Sequence, residues 1–122
     1  MRPDWLNKIY PFKSNFIKVD KDLSMHYVDE GAGDPILMVH GNPTWSFYYR
    51  NLAKEFSSTN RVVVPDHIGC GLSDKPQEWD YILDNHISNL EKLVLKLELK
   101  DIVLVVHDWG GAIGFGLLER HP

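Results

Sequence analysis

The sequence predicts an α/β fold with a largely parallel sheet. Three runs carry that expectation: Pro35–Gly41 (PILMVHG), Arg61–Asp66 (RVVVPD) and Asp101–His107 (DIVLVVH) are apolar at nearly every position. That is the pattern of a strand covered on both faces, as strands of parallel sheets are. After each run, directly or across a loop, comes a segment with apolar residues at helical spacing.

Taken in order, NFIKVD (Asn15–Asp20) and LSMHYVDEG (Leu23–Gly31) alternate apolar and polar residues around a DKD turn. They read as an antiparallel β-hairpin. The first apolar strand leads to TWSFYYRNLAKEF (Thr44–Phe56), a helix with Thr44 as N-cap and Phe47, Leu52 and Phe56 as its apolar residues. The second strand runs into HIGCGLSDKPQEWD, whose Gly, Ser, Asp and Pro content predicts a loop. From Asp84, a likewise favoured cap, Ile87, Leu90, Val94 and Leu97 recur at helical spacing. The end of that segment, LVLKLEL, also alternates as a strand would, but the register before it is helical. The third strand precedes WGGAIGFGLLERHP, a glycine-rich helix stopped by Pro122. A strand as apolar as IVLVV belongs inside a sheet rather than at an open edge. The expectation is therefore that residues 1–122 form the N-terminal part of a larger core domain.

Bulk composition narrows the function classes. The chain is 43% hydrophobic and 25% charged, with a formal net charge of -4 and no basic stripe, which argues against a nucleic-acid partner. A single cysteine, Cys70, excludes an internal disulfide. The proline-broken start, MRPDWLNKIYPFKSNF, reads as neither a signal peptide nor a membrane span, so a cytoplasmic location is expected. No His, Cys or Asp pair has ligand spacing on one face, and neither a metal nor a cofactor is expected.

The chemistry concentrates at VVHDWGG, where Asp108 falls between an apolar strand and a helix. A polar residue on such a turn, lifted above the sheet among small neighbours, is the geometry of a nucleophile elbow. The match is partial, with Gly110 two residues after Asp108 but Val106 two residues before it. Taken alone, Asp108 reads more simply as a helix N-cap and Trp109 as a packed aromatic. A second motif shifts the balance. HGNPTW (His40–Trp45) follows the first buried strand and would aim backbone N–H groups into the space above the sheet. An elbow enzyme draws one oxyanion donor from such a loop and one from the residue after the nucleophile, here Asn42 and Trp109.

Together, HGNPTWSFYYR, DHIGCGLSDKP and VHDWGG resemble the haloalkane dehalogenases of the α/β-hydrolase superfamily, near the branch that includes β-lactone decarboxylases. The likeness runs from about Phe16 to the last residue. It implies the N-terminal half of an α/β-hydrolase fold, with the elbow after the fifth strand. It also implies Asp108 as nucleophile, and Asn42 and Trp109 as the groups that hold a leaving halide. The implied substrate is small and apolar, a haloalkane or a β-lactone. Related epoxide hydrolases share the Asp and Trp but commonly carry an aromatic residue where this chain has Asn42. A carboxylate suits attack at saturated carbon, because the ester it forms remains open to water, whereas a serine would leave an inert ether.

The family's base and acid lie beyond the elbow, and none of the six histidines occupies the expected place. His107 points away from Asp108, His40 fixes its own loop, His26 and His86 are strand and helix-start residues, and His121 is a frayed end. His67 lies in a loop at the site's end of the sheet, where it could touch substrate. Asp66, Gly69, Gly71, Ser73 and Asp74 read as turn formers, and Cys70 as a small buried residue. The 122-residue chain is accordingly expected not to turn over, and a non-catalytic product is the competing reading.

Overall fold

The structure is a computed structural model, which describes residues 2–122. Its five strands are β1 (Asn15–Lys18), β2 (Ser24–Glu30), β3 (Pro35–Val39), β4 (Arg61–Pro65) and β5 (Val103–Val106). They form one sheet in the order β1-β2-β4-β3-β5. The β1–β2 hairpin is antiparallel, with Phe16 opposite His26, and β2 pairs antiparallel with β4. From β4 onward the sheet is parallel, Leu37 of β3 lying opposite Val63 of β4 and Leu104 of β5. The hairpin followed by a parallel sheet thus forms as its alternating and continuous apolar patterns require.

Alternation along the parallel strands feeds two cores. Leu37, Val39 and Val63 face one side, where they meet Ile87, Leu90 and Leu93 of α3 (Leu83–Lys96) and Ile113 and Leu117 of α4 (Trp109–Arg120). Ile36, Met38, Val62 and Val64 face the other, where Tyr49 and Ala53 of the second helical segment cover them with Leu6, Tyr10 and Phe12. β5 has β3 as its only strand neighbour among the described residues. Val103 of β5 and Phe115 and Leu118 of α4 are exposed.

Several local expectations need correction. The N-terminal stretch contains a short helix, α1 (Asp4–Ile9), which the two prolines hid; it is held by burial of Leu6. Thr44 is not an N-cap: the chain enters a 3-10 turn at Ser46–Tyr49 before α2 (Arg50–Phe56), with no side-chain cap. That turn rotates the buried face to Tyr49 and Ala53, leaving Leu52 and Phe56 exposed. Asp84 lies inside the first turn of α3 rather than at its cap, and its carboxylate accepts from Arg120 at 2.7 Å. α3 stops at Lys96, so only the first part of LVLKLEL is helical. Among the described residues no helix is long and apolar enough to cross a membrane.

Candidate active site

Asp108 joins β5 to α4 with φ 57° and ψ -131°, a left-handed backbone that costs a non-glycine residue of order 1–3 kcal/mol. Its side chain makes no capping hydrogen bond to α4. The helix start is closed instead by main chain, Gly110 N–H donating to His107 O and Gly111 N–H to Asp108 O, both at 2.9 Å. The capping explanation for an acidic residue here therefore fails on geometry. What the carboxylate does accept is the backbone N–H of Asn42, at 3.1 Å from Oδ2. The Trp109 and Asn42 backbone N–H groups hold its pKa below the usual carboxylate value, so it is ionised at neutral pH.

Glycine makes this approach possible. A side chain on Gly41 would come within 2.7 Å of Asp108 Oδ2. One on Gly110 would strike the carbonyl oxygens of Val39 and His40, because α4 begins directly against the end of β3. Gly110→Ala should accordingly lower stability by about 1–3 kcal/mol, the usual cost of overpacking, since the atoms in the way are backbone. Chemical denaturation of the two proteins measures it, and an unchanged midpoint would mean that the elbow does not pass this close.

Asn42 and Trp109 line a cleft of about 430 Å³ together with His67, Tyr81, His86 and Ile113. Asp108 stands exposed beside it and is not one of its wall residues. The structure thus brings Asp108, Asn42 and Trp109 to one place, at the C-terminal end of the parallel strands, where open α/β sheets bind their ligands.

The loops around the cleft are fixed by buried imidazoles and one buried carboxylate. His40 donates from Nδ1 to Gly41 O at 2.7 Å, and its Nε2 accepts the His67 backbone N–H at 3.0 Å. It does fix its loop, as its position suggested. His67 donates from Nε2 to His40 O at 2.9 Å. Asp66, expected to be only a turn former, is fully buried: Oδ1 accepts from Ser46 N–H at 2.6 Å, and Oδ2 from His26 Nδ1 at 2.9 Å and Leu72 N–H at 3.0 Å. Burial alone would raise its pKa, but the His26, Leu72 and Ser46 donors outweigh that and hold it below the ordinary range. His107 is exposed and stacks on Tyr48 at 4.5 Å. His86 is a wall residue of the cleft, a role its position at a helix start did not reveal. Cys70 is half-buried rather than enclosed. His121 is not loose but pairs with Glu91 at 2.6 Å.

Burial lowers the pKa of His40, His67 and His86, most strongly at His67, where His40 adds repulsion. These side chains stay neutral in the fold and take up protons near the ordinary value of 6.5 only once unfolded. The unfolded state then binds more protons, so stability should fall as pH drops below about 6.5. Urea midpoints at about pH 7.5 and 5.5 measure this; equal midpoints would show that the three rings are not held neutral.

A mixed sheet whose β4, β3 and β5 run parallel, with a strained acidic elbow and an opposing glycine loop, defines a class, and the comparisons agree. Residues 34–122 match the alpha/beta hydrolase fold, and the chain belongs to that family. Among its relatives, a cis-3-alkyl-4-alkyloxetan-2-one decarboxylase of Shewanella oneidensis is 52% identical over 120 residues, covering 96% of this chain and 37% of that protein. Haloalkane dehalogenase 2 of Mycobacterium bovis is 40% identical over 114 residues, covering 93% and 40%. Among solved structures, the haloalkane dehalogenase DatA of Agrobacterium tumefaciens C58 superposes with a TM-score of 0.82 at 33% identity, covering 90% of this chain and 37% of that one. The chain thus spans about two fifths of the length of these relatives.

Proposed function

We propose that Asp108 is a nucleophile that opens a bond at saturated carbon through an aspartyl ester. One observation carries the reading: an ionised carboxylate on a strained strand-to-helix turn, beside a cleft, is engaged by the main-chain N–H groups of Trp109, at the start of α4, and of Asn42, from the facing loop, and makes no side-chain cap hydrogen bond to the helix. The carboxylate oxygen not held by these donors attacks carbon, and the leaving group departs with the bonding electron pair. With a haloalkane the leaving group is halide, stabilised by the Trp109 indole N–H and the Asn42 side-chain amide. Hydrolysis of that ester needs a base to activate water; as water adds, the ester carbonyl oxygen develops negative charge facing the Asn42 and Trp109 backbone donors. An alcohol and a proton leave, and the carboxylate is restored.

An oxetan-2-one suits the same residues. Attack at the ring carbon bonded to oxygen breaks that C–O bond and frees a carboxylate on the neighbouring carbon. Loss of carbon dioxide then supplies the electron pair for a C=C bond and expels Asp108 as its carboxylate. The higher identity to the oxetanone decarboxylase, 52% against 40%, favours this substrate over a haloalkane. Incubating the protein separately with a bromoalkane and a cis-dialkyl β-lactone tests the reading. Carbon dioxide and alkene from the lactone are the expected products, and halide release without lactone loss would reverse the preference. Neither product, with no covalent adduct at Asp108, would end it.

A further inference from the structure

We propose that the N-terminal face of the protein, formed by α1 and the outward side of β1, docks on an anionic phospholipid bilayer. The inference goes beyond the chemistry proposed at Asp108 and does not depend on it.

The argument starts from what the fold places on one side of the sheet. Leu6 and Tyr10 of α1 belong to the second core, so the helix lies over that side and turns Trp5, Lys8 and Ile9 outward. In β1, Ile17 belongs to the opposite core, and alternation therefore turns Phe16 and Lys18 to the same side as α1. Arg2 ties the helix to the strand, donating to Tyr10 O at 3.0 Å and to Ser14 Oγ at 2.6 Å. Ser14 Oγ lies 3.1 Å from Nε2 of His26, whose ring meets that of Phe16 edge-on at 5.3 Å. The two elements thus present one face, on which Trp5 is 64% and Phe16 55% exposed and Ile9 is exposed as well. Lys13, between them, is also exposed.

Charge decides the partner. Residues 1–18 hold four basic side chains and one acidic one, a net charge of +3, in a chain whose total is -4, so the remainder carries -7. Lys8, Lys13 and Lys18 are spaced five residues apart and form no run, so the sequence alone does not show them as a patch. Among the described residues none of the three pairs with a carboxylate; Lys18 donates only to Asp22 O at 3.2 Å and Ser24 Oγ at 3.0 Å. Exposed Trp, Ile and Phe side chains interleaved with lysines match a bilayer surface. The apolar groups enter the boundary of the acyl chains, and the lysine stems reach back to the phosphates. A protein partner fits less well, because the cores of protein interfaces are depleted in lysine. Such docking would bring the protein to the phase in which apolar substrates dissolve.

Co-flotation of the 122-residue protein with lipid vesicles tests this, since aggregated protein sinks and only bound protein rises. Vesicles of phosphatidylcholine with about 30% phosphatidylserine should bind at least about tenfold more tightly than phosphatidylcholine alone. Raising the salt from about 0.1 M to about 0.5 M should remove most of that difference. Changing Lys8, Lys13 and Lys18 together to Gln should weaken binding roughly 100-fold, about fivefold for each lysine. The same change at Lys92, Lys96 and Lys100, exposed lysines in and just after α3, removes equal charge elsewhere and should cost less than about twofold. Trp5→Ala should weaken binding about tenfold while leaving the melting temperature unchanged, because the ring is exposed. Equal binding to neutral and anionic vesicles overturns the proposal, since the contact would then be purely apolar. Equal losses in the two lysine triples overturn it as well, by making net charge the cause. So does tighter binding to polyglutamate or to a single-stranded oligonucleotide than to anionic vesicles, which would give the face to another polyanion.

Discussion

Asp108→Asn should abolish covalent modification by a bromoalkane, lowering its rate by roughly 10⁴-fold or more, as loss of a nucleophile does. The amide keeps the size and shape of the side chain but has no anionic oxygen to attack carbon. It can still accept from Asn42 N–H, so the elbow and its stability should change little. Intact-mass and peptide mapping read the result: one alkyl group on the peptide containing Asp108 in the parent, none in the variant. Because backbone donors hold the Asp108 pKa below the ordinary carboxylate value, the group is already ionised in mild acid. Its alkylation rate should therefore be flat from about pH 5 to 8, whereas attack by a histidine would rise through its titration in that range. No histidine side chain hydrogen-bonds the Asp108 carboxylate among the described residues, so halide release should stop near one equivalent per chain. An adduct in Asp108→Asn, or one mapped to another residue, would remove Asp108 from the chemistry.

The sequence made Asp108, Asn42 and Trp109 visible because each lies in a short motif at the end of an apolar strand. A strand end is a place whose position above the sheet follows from local pattern alone. The strands were legible for the same reason: Leu37 and Ile36 both sit in one continuous apolar run, and they face opposite cores. What escaped was set by distant partners. Asp66 draws its donors from His26, 40 residues earlier, and from Ser46, 20 residues earlier, and no local pattern records such a meeting. The one available signal was its place as a charged residue directly after RVVVP. His86 reached the cleft wall through the rotation of α3 about its axis, which is decided by Ile87, Leu90 and Leu93 packing on the sheet. The short α1 was hidden because its six residues contribute little helix propensity, and packing of Leu6 holds them.

Those long-range partners make Asp66 the position where one atom should matter most to stability. Asp66→Asn is expected to destabilise the fold by about 1–3 kcal/mol, the cost of leaving a buried hydrogen-bonding group unmet. The geometry gives the reason. Three donors converge on two oxygens, Ser46 N–H on Oδ1 and the His26 and Leu72 groups on Oδ2. An asparagine must replace one oxygen with an NH₂ group. Turned toward Ser46, that group faces a backbone donor at close range. Turned the other way it faces two donors, and although the His26 ring can change tautomer to accept, the Leu72 N–H cannot. Either orientation leaves a donor unmet. Ser46 begins the turn that follows the Asn42 loop, and Leu72 belongs to the loop that carries His67. The loss should therefore loosen both walls of the cleft together. The same bonds fix the acid limb of the stability curve. The folded-state pKa of Asp66 is depressed, so its contribution is complete above the unfolded carboxylate value and is lost as pH falls through the lower folded value. Urea unfolding of the parent and Asp66→Asn, repeated at about pH 7 and pH 3, should show the gap between them narrowing in acid. A variant as stable as the parent at neutral pH, or a gap that widens in acid, would mean that the carboxylate does not tie the two loops.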